Sequence, residues 1–131
     1  MKSKIFIIAV IFLSAILRLY HLGDLPRGMY IDEPSIGYNA YSILTSLKDE
    51  HGNFLPLSFQ AFGEYKLPVY IYSSVPLISI FGLTPFSVRL LSALAGIAAT
   101  YGVYLLTNQL ISKNQIKYTS EIAALLFAVS P

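Results

Sequence analysis

Two neighbouring acidic residues, Asp32 and Glu33, are the side chains in this sequence best suited to acid–base chemistry. Adjacent carboxylates repel each other, and burial near a membrane adds a desolvation cost, so one of them is expected to have a raised pKa. Such a carboxylate can act as a general base towards a hydroxyl group. Pro34 follows directly, however, and acids at this position also suit the start of a helix, where they face the positive end of its dipole. The two interpretations are compatible.

Glu64 and Lys66 form a second candidate pair, in the segment Gly63–Tyr70. A lysine ammonium can neutralise a lipid phosphate as a point charge. The alternative is an ordinary interfacial lysine, whose stem lies along apolar surface while its charged head reaches water. Glu64 is equally suited to be a salt-bridge partner or a site residue.

Other basic and imidazole side chains are weaker candidates. Arg27, His21 and His51 lie singly in a polar stretch, and two distant histidines do not make a metal site. Arg89 begins an apolar run and is expected to anchor it at the membrane interface. The chain has no cysteine, which excludes a disulfide framework, a thiolate metal site and a cysteine nucleophile. We therefore assign no metal ligands.

The composition indicates that a membrane positions these residues. Hydrophobic residues make up 55% of the 131 residues and charged residues only 12%, and the mean hydropathy is +0.61. A soluble domain carries about 25% charged residues. The net charge of +2 and the absence of a basic patch interleaved with aromatics disfavour nucleic-acid binding.

The first apolar run, residues 5–22, predicts a membrane helix of roughly 27 Å. A cleavable signal peptide is the competing interpretation, but Arg18 and its neighbours stand where a small-residue cleavage site would lie. We therefore expect an uncleaved anchor, with Arg18 reaching the lipid headgroups. Lys2 and Lys4 predict a cytoplasmic N-terminus by the positive-inside rule.

Residues 86–107 predict a second membrane helix, followed by a cytoplasmic loop at 108–120. Residues 121–131 predict the start of a third helix that is too short to span, as in the front part of a longer protein. Small residues in the second helix are expected to allow close helix packing: Ser92, Ala93, Gly96, Ala98 and Ala99.

Between these helices, residues 23–85 predict an outer loop with two interfacial helices, at about 35–48 and 67–81. The second has about fifteen residues and two prolines, which is short for a span. Treating it as interfacial places Lys113 and Lys117 in the cytoplasm with the N-terminus. The predicted fold is thus all-α, with membrane helices and juxtamembrane helices.

The first interfacial helix is predicted to be amphipathic, with Gly52 just beyond its C-terminal end. Its apolar face is expected to hold Ile36, Ala40, Ile43, Leu44 and Leu47, and its polar face Ser35, Asn39, Ser42 and Ser46.

Several motifs in order resemble a known family. They are the Asp32–Glu33 pair after the first helix, the segment Gly63–Tyr70, Phe81-Gly82-Leu83, the run Val88–Gly96 and the run Ala123–Pro131. Together they resemble the N-terminal part of the C-type membrane glycosyltransferases. The similarity is greatest to the branch with protein O-mannosyltransferases and lipid A aminoarabinose transferases, and it covers essentially the whole chain.

The resemblance implies an incomplete C-type bundle in residues 1–131 and an inverting transfer of a sugar from a polyprenyl-phosphate carrier to an acceptor hydroxyl on the extracytoplasmic face. It implies that Asp32 is the catalytic base, with Glu33 beside it, and that Glu64 and Lys66 lie near the carrier phosphate. Many relatives have lysine and proline adjacent, whereas Leu67 intervenes here.

The resemblance also implies the partners: a polyprenyl-phosphate sugar, an acceptor that is a lipid, glycan or protein, and the cell membrane. It requires no certain cofactor and leaves the need for a divalent metal open, since related sites differ. The alternative function is a non-catalytic membrane subunit, a scaffold or an inactive truncated relic, because the family needs further spans to complete the donor cavity.

Overall fold

A computed structural model describes residues 2–111 and 118–130 of the chain, which are mostly helical. The chain forms two compact units, one from Met1–Tyr20 with Ser92–Pro131 and the other from His21–Leu91. The elements, in chain order, are α1 (Lys2–Leu19), α2 (Asp32–Ser46), β1 (Phe59–Ala61), β2 (Glu64–Lys66), α3 (Pro68–Phe81), α4 (Pro85–Leu110) and α5 (Thr119–Val129). The predicted helical fold is confirmed, with the addition of a short β-hairpin.

In the part of the chain that is described, α4 is the one helix long and apolar enough to cross a membrane, judged by length and composition. Its 26 residues extend over about 39 Å. By contrast, α1 has 18 residues and includes Lys2, Lys4 and Arg18. It ends three residues before the predicted bound, because the chain turns at His21 with a positive φ of 48°. The loop predicted at 108–120 falls largely on residues 112–117, outside the described residues.

In the first unit, α1 packs against α5 through a small core of Ile7, Val10, Ala124 and Ala128. Arg18 was predicted to reach lipid headgroups, but it hydrogen-bonds to Ser14 Oγ and to the carbonyl oxygens of Phe127 and Ala128. The guanidinium thus satisfies carbonyls at the C-terminal end of α5, where helix carbonyls lack partners and the dipole favours a cation.

Gly96 of α4 makes room for a side chain of α1, that of Arg18. A Cβ atom at this position would lie 2.5 Å from Nε of Arg18. A buried hydrogen bond of 2.9 Å between the hydroxyls of Ser14 and Thr100 also joins α1 to α4.

In the second unit, α2 packs against α3 over a core to which β1 and the start of α4 also contribute. The buried side chains of this core are Ala40, Ile43, Phe59, Ile71, Ile78 and Val88. A helix at the predicted position 67–81 is confirmed as α3, which begins with Pro68 in its first turn and ends at Phe81, before Gly82 with φ of +73°; its placement at a membrane interface stays a prediction. Proline at a helix start and glycine at its end are typical signals.

The predictions for α2 were partly wrong. The helix begins at Asp32 and ends at Ser46, because Leu47 adopts a left-handed conformation well before Gly52. Its buried face includes Ser35 and Asn39, whereas Leu44 and Leu47 are exposed. Asn39 is buried because the amide is fully used: it donates to Ser35 O and Glu50 Oε1 and accepts from the backbone N–H of Glu50.

The hairpin formed by β1 and β2 was not predicted. Phe59 pairs with Lys66 and Ala61 with Glu64 in an antiparallel register, with a two-residue turn at Phe62-Gly63. Directly opposite residues lie on the same face, so Phe59 and Ala61, which are buried, share a face with Glu64 and Lys66. The hairpin therefore fixes the position of Lys66 by burying Phe59.

Gly37 lies where α2 approaches Leu83 and Val88. A Cβ atom there would come within 2.8 Å of Val88 Cγ2 and 3.0 Å of Leu83 Cδ1. Glycine to alanine in a helix normally gains about 1 kcal/mol, but here we expect Gly37→Ala to lower the thermal unfolding temperature because a β-branched buried side chain must move.

Gly102 in α4 provides the matched control, since a Cβ there meets nothing within 4 Å. Thermal unfolding in detergent should show Gly102→Ala at or above the wild-type temperature. Equal stabilisation by both substitutions would contradict the close contact at Gly37.

Candidate active site

Arg89 joins the loop at residues 22–28 to Glu33, in the first turn of α2. The residue is 7% exposed, and its guanidinium forms two hydrogen bonds to the Glu33 carboxylate, 2.7 Å from Nε to Oε1 and 2.8 Å from an Nη atom to Oε2. The remaining donors reach backbone carbonyls of the preceding loop, those of Leu22, Leu25, Pro26 and Gly28. The expectation that Arg89 is an interfacial anchor was wrong, because its partners lie within the protein.

Glu33 is correspondingly held as a carboxylate. The hydrogen bonds from Arg89 lower its pKa, burial opposes them, and the backbone N–H of Tyr30 adds a further hydrogen bond of 3.0 Å. The raised pKa expected for one member of the acidic pair is therefore not found at Glu33. Its Oε2 accepts the backbone N–H just before α2, as suits an acid in a first helical turn, and its catalytic role stays a prediction from the resemblance.

Asp32, one residue earlier, has a different partner. It accepts a hydrogen bond from the ammonium of Lys66, which is 34 positions away in the sequence and ends strand β2. The side chain of Lys66 is 12% exposed, whereas that of Asp32 is 40% exposed. Glu64 Oε1 lies 3.5 Å from the same ammonium. The structure thus brings together three of the four predicted site residues.

The pKa of Lys66 is raised, chiefly by its hydrogen bond to Asp32; burial works in the opposite direction, and Glu64 adds to the increase. Lys66 is therefore a cation at neutral pH. The intervening Leu67 does not turn this lysine away from the acidic pair, because β2 sets its direction.

These residues line an open cavity of about 350 Å³, bounded by Asp32, Ile36, Glu64, Lys66, Leu67, Tyr70 and Ile71. The volume is within the range of small-ligand sites. One part of its wall carries two carboxylates and an ammonium, and the rest is aliphatic or aromatic. The arrangement suits a ligand with an anionic or hydroxyl-bearing head and an apolar part.

Two features of the His21–Leu91 unit, one of them beside Lys66, were not predicted from the sequence. The ring of Phe62 lies over the Lys66 ammonium, with its centre 6.0 Å from Nζ. Asp49, 4% exposed, accepts hydrogen bonds from the backbone N–H groups of His51 and Asn53 and from the Asn53 side chain. Burial alone would raise the pKa of Asp49, but these bonds lower it. The spacing Asp-x-x-x-Asn in a turn-rich stretch was the available signal.

The weaker candidates remain outside the cavity wall. His21 contacts Asp24 at 3.2 Å, and Nε2 of His51 lies 3.1 Å from the carbonyl oxygen of Gln60. Within residues 2–111 and 118–130, no three histidine or acidic side chains converge as a metal site would require.

Comparisons with protein-family models, with curated proteins and with solved structures found no match to this chain. The resemblance to the C-type membrane glycosyltransferases therefore stays a prediction from the sequence motifs.

The Arg89–Glu33 pair predicts a pH-dependent stability. The folded-state pKa of Glu33 lies below its ordinary value of 4.5, so its contribution is complete above that pH and is lost as the pH falls through the lower, folded-state value. Glu33→Gln leaves the buried guanidinium of Arg89 without its carboxylate partner. It should lower the free energy of unfolding by about 3 kcal/mol at neutral pH. The difference from wild type should shrink as the pH falls below 4.5.

Chemical or thermal unfolding of the purified protein across the acidic range measures this difference. Asp24→Asn is the matched control, because the side chain of Asp24 is 79% exposed and its substitution should change stability by less than about 1 kcal/mol. A penalty for Glu33→Gln that is independent of pH would contradict the account.

Proposed function

We propose that this chain is a membrane glycosyltransferase, or the N-terminal portion of one, that transfers a sugar from a polyprenyl-phosphate donor to an acceptor hydroxyl with inversion. One observation carries the proposal: Asp32 and Lys66 meet in one cavity although 34 positions separate them. The resemblance assigns these two residues to the acceptor and to the donor phosphate, and a single site requires them to be close.

The chemistry divides between the two charges. Asp32 accepts the proton of the acceptor hydroxyl while the acceptor oxygen forms a bond to the anomeric carbon. The bond from that carbon to the phosphate oxygen breaks, and the electron pair leaves with the polyprenyl phosphate. Lys66 stabilises the negative charge that develops on this leaving group.

The ion pair between Asp32 and Lys66 is the arrangement expected in the donor-free state of the enzyme. When the phosphate binds, the ammonium exchanges one anionic partner for another, and Asp32 becomes available to the acceptor hydroxyl. Glu64, 67% exposed at its side chain and 3.5 Å from Nζ, helps to hold the ammonium in position during the exchange.

The membrane location is part of the proposal. It is supported by the length and apolar composition of α4 and by the low fraction of charged residues, 12%. We place the N-terminus in the cytoplasm and residues 23–85 on the extracytoplasmic face of the cell membrane. The acceptor hydroxyl belongs to a lipid, a glycan or a protein of the cell envelope.

The second candidate function is a membrane subunit or scaffold without catalysis. The observation that favours it is the exposed apolar surface of the first unit, where Ile8, Phe12, Leu106 and Leu126 are 65%, 67%, 57% and 64% exposed. Such a surface can bind neighbouring helices in a membrane. It is equally what an incomplete bundle presents, so transfer assays decide between the two.

Asp32→Asn tests the catalytic base. In membranes from cells that express the full-length protein, we expect transfer of radiolabelled sugar from polyprenyl phosphates to fall by about 10²–10⁴-fold, because the amide cannot accept the proton. Membrane insertion should stay as in wild type, and the unfolding temperature should fall less than in Glu33→Gln, because Asp32 is 40% exposed and Glu64 also contacts the Lys66 ammonium. Asp24→Asn is the control, and wild-type turnover in Asp32→Asn would remove Asp32 from the mechanism.

Lys66→Ala tests the phosphate contact. At limiting donor, the rate should fall about tenfold or more, because a charge-assisted contact to the phosphate is lost. Lys48→Ala removes an exposed lysine of the same loop and should leave the rate unchanged. If Lys66→Ala retains the wild-type rate at limiting donor, Lys66 is a structural lysine only.

A further inference from the structure

The hairpin turn contains an unfavourable residue choice. Phe62 and Gly63 both have positive φ values, 51° and 85°, as the two central residues of a type I′ turn require. Glycine and asparagine adopt this conformation easily, and Asn-Gly is the usual choice. A bulky aromatic residue in the left-handed region lowers the stability of the folded state.

Burial does not compensate for this cost. The Phe62 side chain is 67% exposed, whereas Phe59 and Ala61 of the same hairpin are buried in the core. On stability alone, asparagine would serve better at position 62. A contact with a bound ligand would therefore explain the aromatic ring at this position.

The position of the ring indicates what that contact is. Its centre lies 6.0 Å from Nζ of Lys66, the cation that we assign to the donor phosphate. Leu67 lines the cavity that also contains Asp32 and Lys66, and it is 82% exposed. An anion bound to the ammonium would thus have an exposed aromatic ring and an exposed aliphatic side chain close to it.

We propose that Phe62, with Leu67, binds the first isoprene units of the lipid-phosphate donor, next to the phosphate held by Lys66. The inference depends on the proposed function and adds the residues that select an isoprenoid tail. A cavity of about 350 Å³ cannot enclose a polyprenyl chain, so the tail must leave it close to the phosphate. The apolar surface offered there is the ring of Phe62.

The experiment compares two phosphate monoesters, geranyl phosphate and methyl phosphate, titrated into the full chain in nanodiscs. Both carry the head that Lys66 would bind, and only the first carries isoprene units. The variants are Phe62→Asn, Lys66→Ala and the matched control Tyr65→Asn. Tyr65 is an aromatic of the same hairpin, 70% exposed, and lies on the face opposite to Lys66 because side chains alternate along a strand.

Phe62→Asn should raise the unfolding temperature by a few degrees, because Asn-Gly suits the turn. It should weaken geranyl phosphate binding about tenfold and leave methyl phosphate binding unchanged. Tyr65→Asn should change neither affinity, and Lys66→Ala should weaken both.

Unchanged geranyl phosphate binding in Phe62→Asn, with the dependence on Lys66 intact, overturns this inference and leaves the proposed function standing. Equal losses in Phe62→Asn and Tyr65→Asn also overturn it, because they indicate that the hairpin aromatics contact the bilayer itself. If neither phosphate binds the wild-type chain in a Lys66-dependent way, the proposed function fails as well.

Discussion

The structure of the His21–Leu91 unit depends on the satisfaction of one buried cation. The guanidinium of Arg89 must find hydrogen-bond acceptors, because an uncompensated charge inside a protein is costly. It finds them in the carboxylate of Glu33 and in the carbonyls of the 22–28 loop. These bonds tie the loop, the first turn of α2 and the first turns of α4 to one point. Because Glu33 is fixed there, its neighbour Asp32 is left to face a different direction.

The hairpin provides the other half of the site by simple strand geometry. Phe59, which is fully buried, pairs directly with Lys66 across β1 and β2. Burying the phenyl ring in the core of the second unit therefore also orients the lysine, whose ammonium meets Asp32. The ion pair at the start of α2 and the burial of Phe59 together place a carboxylate, Asp32, and an ammonium, Lys66, at one cavity. The proposed division between proton transfer and leaving-group stabilisation follows from this pairing.

Local signals predicted part of this arrangement. The apolar runs at 67–81 and 86–107 predicted α3 and α4 to within three residues of their observed bounds, because hydrophobic length acts locally along the chain. Asp32 and Lys66 were predicted as site residues from residue type and resemblance, and the structure places their side chains in contact.

What could not be predicted depends on long-range partners. By residue type and position, Arg18 and Arg89 are typical of interfacial anchors. Only the structure shows that Arg18 contacts the end of α5 and that Arg89 contacts Glu33. The buried face of α2 was misassigned because Asn39 is satisfied by Glu50, 11 positions away. The hairpin was missed because each strand has only three residues.

The central claim is that the Asp32–Lys66 site lies on the extracytoplasmic face of a membrane, where a lipid-linked sugar can reach it. The chain has no cysteine, so a single introduced cysteine reports topology without labelling of any natural cysteine in the chain. Tyr30→Cys probes the site loop, at a residue that is 71% exposed, and Asn108→Cys probes the far end of α4. With a membrane-impermeant maleimide on intact cells, the account predicts labelling at position 30 and, at position 108, labelling only after permeabilisation. The reverse pattern would contradict it.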